Sequence, residues 1–155
     1  MARPGPVDQR MTRARLLTSG RAEGPVLSLD EPLSFWGAFE PRTGVILDVH
    51  HPQRGACVKD MVLVMTETRG SGSAPGAIAE AIRLGTAPAA IILAEPDINL
   101  AVGAEVAATL YGRGCVIACV TVEELEALRV AARIAIAEDG AVTTRREPRP
   151  PSQLT

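Results

Sequence analysis

The sequence predicts an α/β domain that is either barrel-like or built as three layers in the order β/β/α. The first half of the 155-residue chain is strand-rich and punctuated by glycine, and the second half alternates apolar strands with helices. A hairpin closes the folded part. Strand runs followed by strand–helix units are typical of mixed α/β architectures. The length suffices for one domain with its own core.

The first half is expected to hold short strands separated by turns. Its predicted strands cover residues 14–18, 26–29 and 45–49, with Gly20 and Gly24 between the first two. A Pro-Arg-Thr-Gly turn occupies 41–44.

The second half is expected to form strand–helix units and a closing hairpin. Its predicted strands cover 61–65, 89–93 and 115–120, and its predicted helices 77–84, 104–110 and 122–128. Thr121 is expected to cap the last helix, which has acidic residues in its first turn. Asp139-Gly140 is a strong turn signal between residues 130–137 and 141–144.

The domain is expected to span residues 11–145, between two flexible tails. Residues 1–10 contain Pro4, Pro6 and several charges, and residues 146–155 are rich in proline. Neither composition supports a helix or a sheet.

Composition limits the classes of function. Hydrophobic residues make up 46% of the chain and aromatic residues only 3%, so Ala, Val, Ile and Leu must build the core. The net charge of −2 argues against nucleic acid as the main partner. No apolar run approaches the ~20 residues of a membrane span, and residues 1–9 lack a signal-peptide segment. We therefore expect a cytoplasmic protein.

The most informative stretch is Arg69-Gly70-Ser71-Gly72-Ser73, between an apolar strand and a helix. A Gly/Ser turn at the start of a helix directs backbone N–H groups and hydroxyls at one spot, which suits an anionic ligand. Arg69 adds a cation. A tight turn with a serine helix cap would have the same sequence. The spacing matches neither a P-loop nor a dinucleotide fingerprint.

The cysteines and histidines do not predict a metal site. Cys57, Cys115 and Cys119 are odd in number and contain no Cys-x-x-Cys pair, which is typical of a reducing compartment. Two cysteines four apart on a strand stand roughly 13 Å apart, so Cys115 and Cys119 are expected to fill the core. His50 and His51 would face opposite ways on a strand, and we expect an exposed pair.

Four segments together resemble the small, swivelling subunit of the aconitase X family of dehydratases. The resemblance runs from about residue 20 to 142. Its segments are Ser34-Phe35-Trp36-Gly37, Asp48-Val-His-His-Pro-Gln-Arg-Gly55, Arg69-Gly-Ser-Gly-Ser73 and Gly85-Thr-Ala-Pro-Ala-Ala-Ile-Ile92.

The resemblance implies a swivelling β/β/α domain that closes over a large subunit carrying an iron–sulfur cluster. It implies that Ser71 is the general base, and that Arg69, Gly70, Gly72 and Ser73 bind a small carboxylate substrate. Two departures matter. No arginine follows the serines, which argues against a tricarboxylate, and Gly72 stands where related small subunits often have a second serine.

The function implied first is dehydration of cis-3-hydroxy-L-proline. The Ala-, Arg- and Gly-rich composition, with Lys59 as the one lysine, is typical of a GC-rich genome. By association, such a genome favours this reaction over dehydration of 5-phosphomevalonate. A non-catalytic anion-binding or structural module is the third hypothesis. Phe35, Trp36, His50 and His51 could wall the pocket or dock on the large subunit.

Overall fold

The computed structural model describes residues 11–69 and 74–146, which form ten strands and three helices. The strands are β1 (Met11–Arg13), β2 (Arg15–Leu16), β3 (Ala22–Ser28), β4 (Phe39–Glu40), β5 (Val45–Ile46), β6 (Val62–Val64), β7 (Ala90–Leu93), β8 (Val116–Cys119), β9 (Arg133–Ile136) and β10 (Ala141–Arg145). The helices are α1 (Ala74–Leu84), α2 (Ile98–Tyr111) and α3 (Val122–Leu128). Within these ranges, no helix has the length and apolar content that a membrane crossing requires.

Two sheets share strand β3 and are joined again at the N-terminal segment. The first half of β3 pairs antiparallel with β9, and its second half pairs parallel with β6. The strand order β1-β10-β9-β3-β6-β7-β8-β2 ends on two strands that only Ala14 separates. Because β1 pairs with β10 and β2 with β8, the sheets close into a barrel-like enclosure.

The strands β6, β7 and β8 divide their side chains between two apolar cores. Successive side chains on a strand point to opposite faces. One set faces the enclosure and packs against the β9–β10 hairpin and α3, and it comprises Val62, Val64, Ala90, Ile92, Val116 and Ala118. The other set faces α1 and α2, and it comprises Leu63, Met65, Ile91, Leu93 and Ile117. The predicted three-layer β/β/α domain is confirmed.

The second half follows the prediction closely, except that α1 and α2 begin early. Thr121 caps α3 as predicted, and its hydroxyl accepts the Glu124 N–H at 3.1 Å. Helix α2 begins at Ile98 rather than at 104, because the Asp97 carboxylate accepts the Leu100 N–H at 3.0 Å. The residues of α2 are apolar on both its buried and its exposed sides, so the periodic pattern that marks a helix is missing.

Two strand predictions in the first half need correction. The strand expected at 45–49 ends at Ile46, because the N–H groups of Leu47 and Asp48 both turn to the Ala38 carbonyl. The strand expected at 14–18 starts at Met11 and breaks at Ala14, where the chain changes its partner from β10 to β8. The tails, apart from Arg146, lie outside the described residues, and the 11–145 boundary stays a prediction.

Candidate functional site

The predicted Gly/Ser turn lies between β6 and α1, in the strand–turn–helix context that the sequence predicted. Strand β6 ends at Val64, and α1 begins at Ala74. The first turn of α1 contains no acidic side chain that would oppose an anion at the helix N-terminus. The turn residues themselves lie outside the described residues, and they are Gly70, Ser71, Gly72 and Ser73.

The segment Thr66–Arg69 brings the chain to this turn along the carboxyl end of the parallel strands. Ligand sites of open α/β sheets lie at this end. Leu33 pairs with Thr68 in a parallel bridge, and the Arg69 N–H donates to the Leu33 carbonyl at 3.1 Å. The Arg69 side chain is exposed. Arg69, the positively charged side chain predicted for the site, is therefore exposed directly before the turn in sequence.

Asp97 ties this segment to the start of α2. The Thr68 hydroxyl donates to one carboxylate oxygen of Asp97, and the other oxygen caps the helix through the Leu100 N–H. Sequence analysis did not assign this role to Asp97. Its position three residues before Leu100 is the spacing of a helix cap and could have identified it.

Phe35 and Trp36 are adjacent in sequence but lie in different environments. Phe35 is 1% exposed and packs edge-to-face on Phe39, with ring centroids 5.5 Å apart. Trp36 is 62% exposed. The backbone N–H of Trp36 donates to the Ser34 hydroxyl, and that hydroxyl donates to the backbone carbonyl of Trp36 at 2.9 Å. Trp36 lies three residues after Leu33, which pairs with Thr68 in the site segment. Of the two aromatic side chains, only that of Trp36 is exposed and thus available to a ligand or partner.

The expectation of an exposed histidine pair is wrong for His51. His50 is exposed, whereas His51 is 5% exposed and both of its ring nitrogens contact backbone groups. The pair lies in a hydrogen-bonded loop rather than on a strand, because Asp48 accepts the His50 N–H on its side chain and the His51 N–H on its carbonyl.

Sequence reasoning missed Arg129, the residue that closes α3. Its guanidinium donates to the Ser28 hydroxyl at 2.9 Å, to the Leu29 carbonyl at 2.7 Å and to the Thr66 hydroxyl at 3.2 Å. Arg129 thus joins the ends of β3 and β6 just before the site segment. A lone arginine after an acidic helix gives no sequence signal for such a contact.

The described cysteines do not converge. Cys57 is exposed, Cys119 is partly buried, and burial raises the pKa of the Cys115 thiol. Among residues 11–69 and 74–146, no three or more His, Cys, Asp or Glu side chains are grouped as metal ligands. An iron–sulfur cluster does not fit this part of the chain, and we assign no step through a metal to its residues.

Comparison with known proteins identifies the family. Residues 11–144 match the family model described as the aconitase X swivel domain. The chain belongs to the aconitase X swivel-domain family. The crystal structure of Thermococcus kodakaraensis aconitase X in its holo-form superposes with a TM-score of 0.73 at 26% identity, covering 89% of this chain and 99% of that chain.

The chain is similar in sequence to proteins of two names. The chain is 44% identical over 105 residues to a cis-3-hydroxy-L-proline dehydratase of Pseudomonas aeruginosa, covering 68% of this chain and 18% of that protein. It is 38% identical over 90 residues to a phosphomevalonate dehydratase small subunit of Methanothermobacter thermautotrophicus, covering 58% of this chain and 69% of that protein. The chain thus spans about a fifth of the length of the hydroxyproline dehydratases that it matches.

Proposed function

We propose that this chain is the small subunit of a heteromeric hydro-lyase, with Ser71 as its general base. The observation that carries the proposal is the 44% identity with a cis-3-hydroxy-L-proline dehydratase, within a family match over residues 11–144. The strand–turn–helix context around residue 71 supports the assignment of the base.

The reaction step proposed for this chain is a proton transfer. Dehydration beside a carboxylate moves a proton from carbon to the base and expels hydroxide, so that water is released. A serine is a weak base at neutral pH unless nearby cations and amides stabilise its alkoxide. Arg69 lies two residues before Ser71 in sequence and α1 begins three residues after it, and these two groups would supply that positive potential. The iron–sulfur cluster that the resemblance implies would take the hydroxide as a Lewis acid on a large aconitase X-like subunit.

The substrate proposed first is cis-3-hydroxy-L-proline. The turn carries Arg69 but no arginine after its serines, so it offers one cationic side chain to one carboxylate. Citrate and isocitrate should therefore not be turned over. The product would be a cyclic enamine that tautomerises to an imine, which 2-aminobenzaldehyde traps as a coloured adduct.

Phosphomevalonate dehydration is the second candidate. The observation that favours it is the 38% identity with a phosphomevalonate dehydratase small subunit, a match that covers 69% of that protein. A phosphate could occupy the same cationic turn.

The deciding experiment reconstitutes the chain with a large aconitase X-like subunit and assays cis-3-hydroxy-L-proline, 5-phosphomevalonate and citrate in parallel. We expect the chain alone to be colourless and inactive, and the complex to dehydrate hydroxyproline. Turnover of phosphomevalonate alone would replace the substrate but keep the enzyme class. Turnover of citrate would refute the interpretation of the missing arginine. Binding of a substrate without any turnover would favour the hypothesis of a non-catalytic anion-binding module.

Replacement of the two turn serines tests the base. Ser71→Ala should lower kcat by a factor on the order of 10² to 10⁴, as expected for loss of a positioned acid–base group. Ser73→Ala is the matched control and should cost less. Subunit association should survive in both variants. A Ser71→Ala complex with a kcat near that of the wild type would reject the assignment.

A further inference from the structure

His51 is a buried titratable side chain for which the proposed reaction has no use. Its Nε2 lies 3.0 Å from the Glu31 carbonyl, and its Nδ1 lies 3.0 Å from the Gln53 N–H. A carbonyl can only accept and an N–H can only donate, so the contacts assign Nε2 as the donor and Nδ1 as the acceptor. Both nitrogens are thereby engaged, which leaves neither available for proton transfer.

The neighbouring Gln53 side chain holds the residue before Glu31. Its Oε1 accepts the Asp30 N–H at 3.1 Å, and its Nε2 donates to the Asp30 carboxylate at 2.8 Å. Three hydrogen bonds thus run from the loop at residues 48–55 to Asp30 and Glu31. The loop is itself braced, because its last N–H, on Gly55, donates to the Ile46 carbonyl at 2.9 Å.

The held segment leads directly to the candidate site. Leu33, two residues after Glu31, bridges Thr68 and accepts the Arg69 N–H at 3.1 Å. We propose that His51 is a positioning residue, which fixes the backbone of Arg69 at the entrance to the catalytic turn by holding the Glu31 carbonyl. The proposed function enters this inference only where an effect on turnover is expected.

The consequence for catalysis follows from the sensitivity of a proton transfer to geometry. A misplacement of about 1 Å at a reacting group can cost on the order of 10²-fold in rate. If the Glu31 contact is lost, Leu33 and Arg69 lose one of their supports, and the turn starts from a displaced residue. We expect kcat to fall because the turn that carries Ser71 starts from the displaced Arg69, and KM to rise because Arg69 itself is displaced.

Two conservative variants separate the contacts of the ring. In His51→Gln, the amide nitrogen can still donate to the Glu31 carbonyl in place of Nε2. In His51→Asn, the amide oxygen can accept from the Gln53 N–H in place of Nδ1, but the side chain is too short to reach Glu31. His50→Asn changes the exposed neighbour and is the control.

The first readout is independent of activity. Amide hydrogen exchange of the full chain is measured at Arg69, with Met65 as the internal reference because its N–H donates to the Ile92 carbonyl on the neighbouring strand. We expect His51→Asn to lower Arg69 protection by about 10-fold or more while Met65 stays within about 2-fold. His51→Gln and His50→Asn should resemble the wild type.

The second readout is the reconstituted complex. There His51→Asn should lower kcat by about 10-fold or more, and His51→Gln by less than about 3-fold. Unchanged Arg69 protection in His51→Asn, or equal losses in the two variants, would overturn the proposal. If His51→Asn does not fold, His51→Gln decides alone: Arg69 protection should stay within about 2-fold of the wild type, and a loss of about 10-fold or more would overturn the proposal, because the contact with the Glu31 carbonyl is kept. A complex inactive even as wild type would refute the proposed function and leave the exchange result valid.

Discussion

Gly103, in α2, lies at a close contact between α1 and α2, near the start of α1. A Cβ at residue 103 would stand 2.6 Å from the Pro75 carbonyl oxygen, 2.7 Å from the Pro75 Cα and 2.9 Å from Cγ2 of Ile78. Ordinary contact begins at 3.4 Å, so Gly103→Ala requires the helices to separate by about 0.8 Å. Pro75 cannot yield as a flexible side chain would, because the atoms in conflict belong to its backbone.

The size of the effect follows from two opposing contributions. Overpacking a close contact costs about 1–3 kcal/mol. Replacing glycine by alanine inside a helix raises the free energy of unfolding by up to about 1 kcal/mol, because alanine has the higher helix propensity. Gly76→Ala is the matched control, because residue 76 also lies in a helix and its added Cβ meets nothing within 4 Å. The difference between the two variants isolates the steric contribution, about 1–3 kcal/mol.

Urea unfolding of both variants measures this difference. We expect the midpoint of Gly103→Ala to fall below that of Gly76→Ala with the same m-value, because the packing changes and the exposed surface does not. Since Pro75 follows the turn by two residues, Gly103→Ala should also lower kcat of the reconstituted complex. A Gly103→Ala chain as stable as Gly76→Ala would refute the reasoning.

Four further predictions concern residues around the site and the capped helix. Arg69→Ala should raise KM, because it removes binding common to ground and transition states, and an unchanged KM would contradict the assignment. Arg129→Met should lower the free energy of unfolding by about 1–3 kcal/mol, because the Leu29 carbonyl loses its charged donor. Thr121→Ala should cost about 1 kcal/mol through loss of the helix cap, again measured by denaturation. Hydrogen bonds from Thr12 and Thr121 lower the pKa of Glu124, so its stabilisation is present above its usual pKa of 4.5 and is lost as pH falls through the lowered pKa. Glu124→Gln should remove that pH dependence.

The local parts of the fold could be predicted because short-range chemistry determines them. The cap at Thr121 and the hairpin at Asp139-Gly140 depend on neighbours within a few residues, and both are confirmed. The break at Ala14 could not be predicted, because it exists only where two distant strands, β8 and β10, compete for one segment. Residues 47–49 have the composition of a strand, yet the N–H groups of Leu47 and Asp48 donate to the Ala38 carbonyl, which lies outside any strand.

The site shows the same division between near and distant contacts. The sequence indicated Arg69 and the adjoining turn because strand, glycine, serine and helix follow one another directly. It could not indicate that Arg129 contacts Thr66 across 63 positions, or that His51 holds Glu31 across 20. The burial of His51 was missed because a His-His-Pro segment has the composition of a surface turn, whereas the contact of the ring with the Glu31 carbonyl joins residues 20 positions apart.

The approach to the turn is supported from three separate parts of the chain. Arg129 holds Thr66, Asp97 holds Thr68, and the Leu33 carbonyl holds the Arg69 N–H. Each support comes from a different element, so a displacement of this segment must break several hydrogen bonds at once. If the domain closes over a large subunit as proposed, the start of the turn should therefore move with the domain as one body. Catalytic geometry would then depend on how the two subunits meet, and Arg69 and Trp36 are exposed side chains close in sequence to the Leu33–Thr68 bridge at the start of the turn.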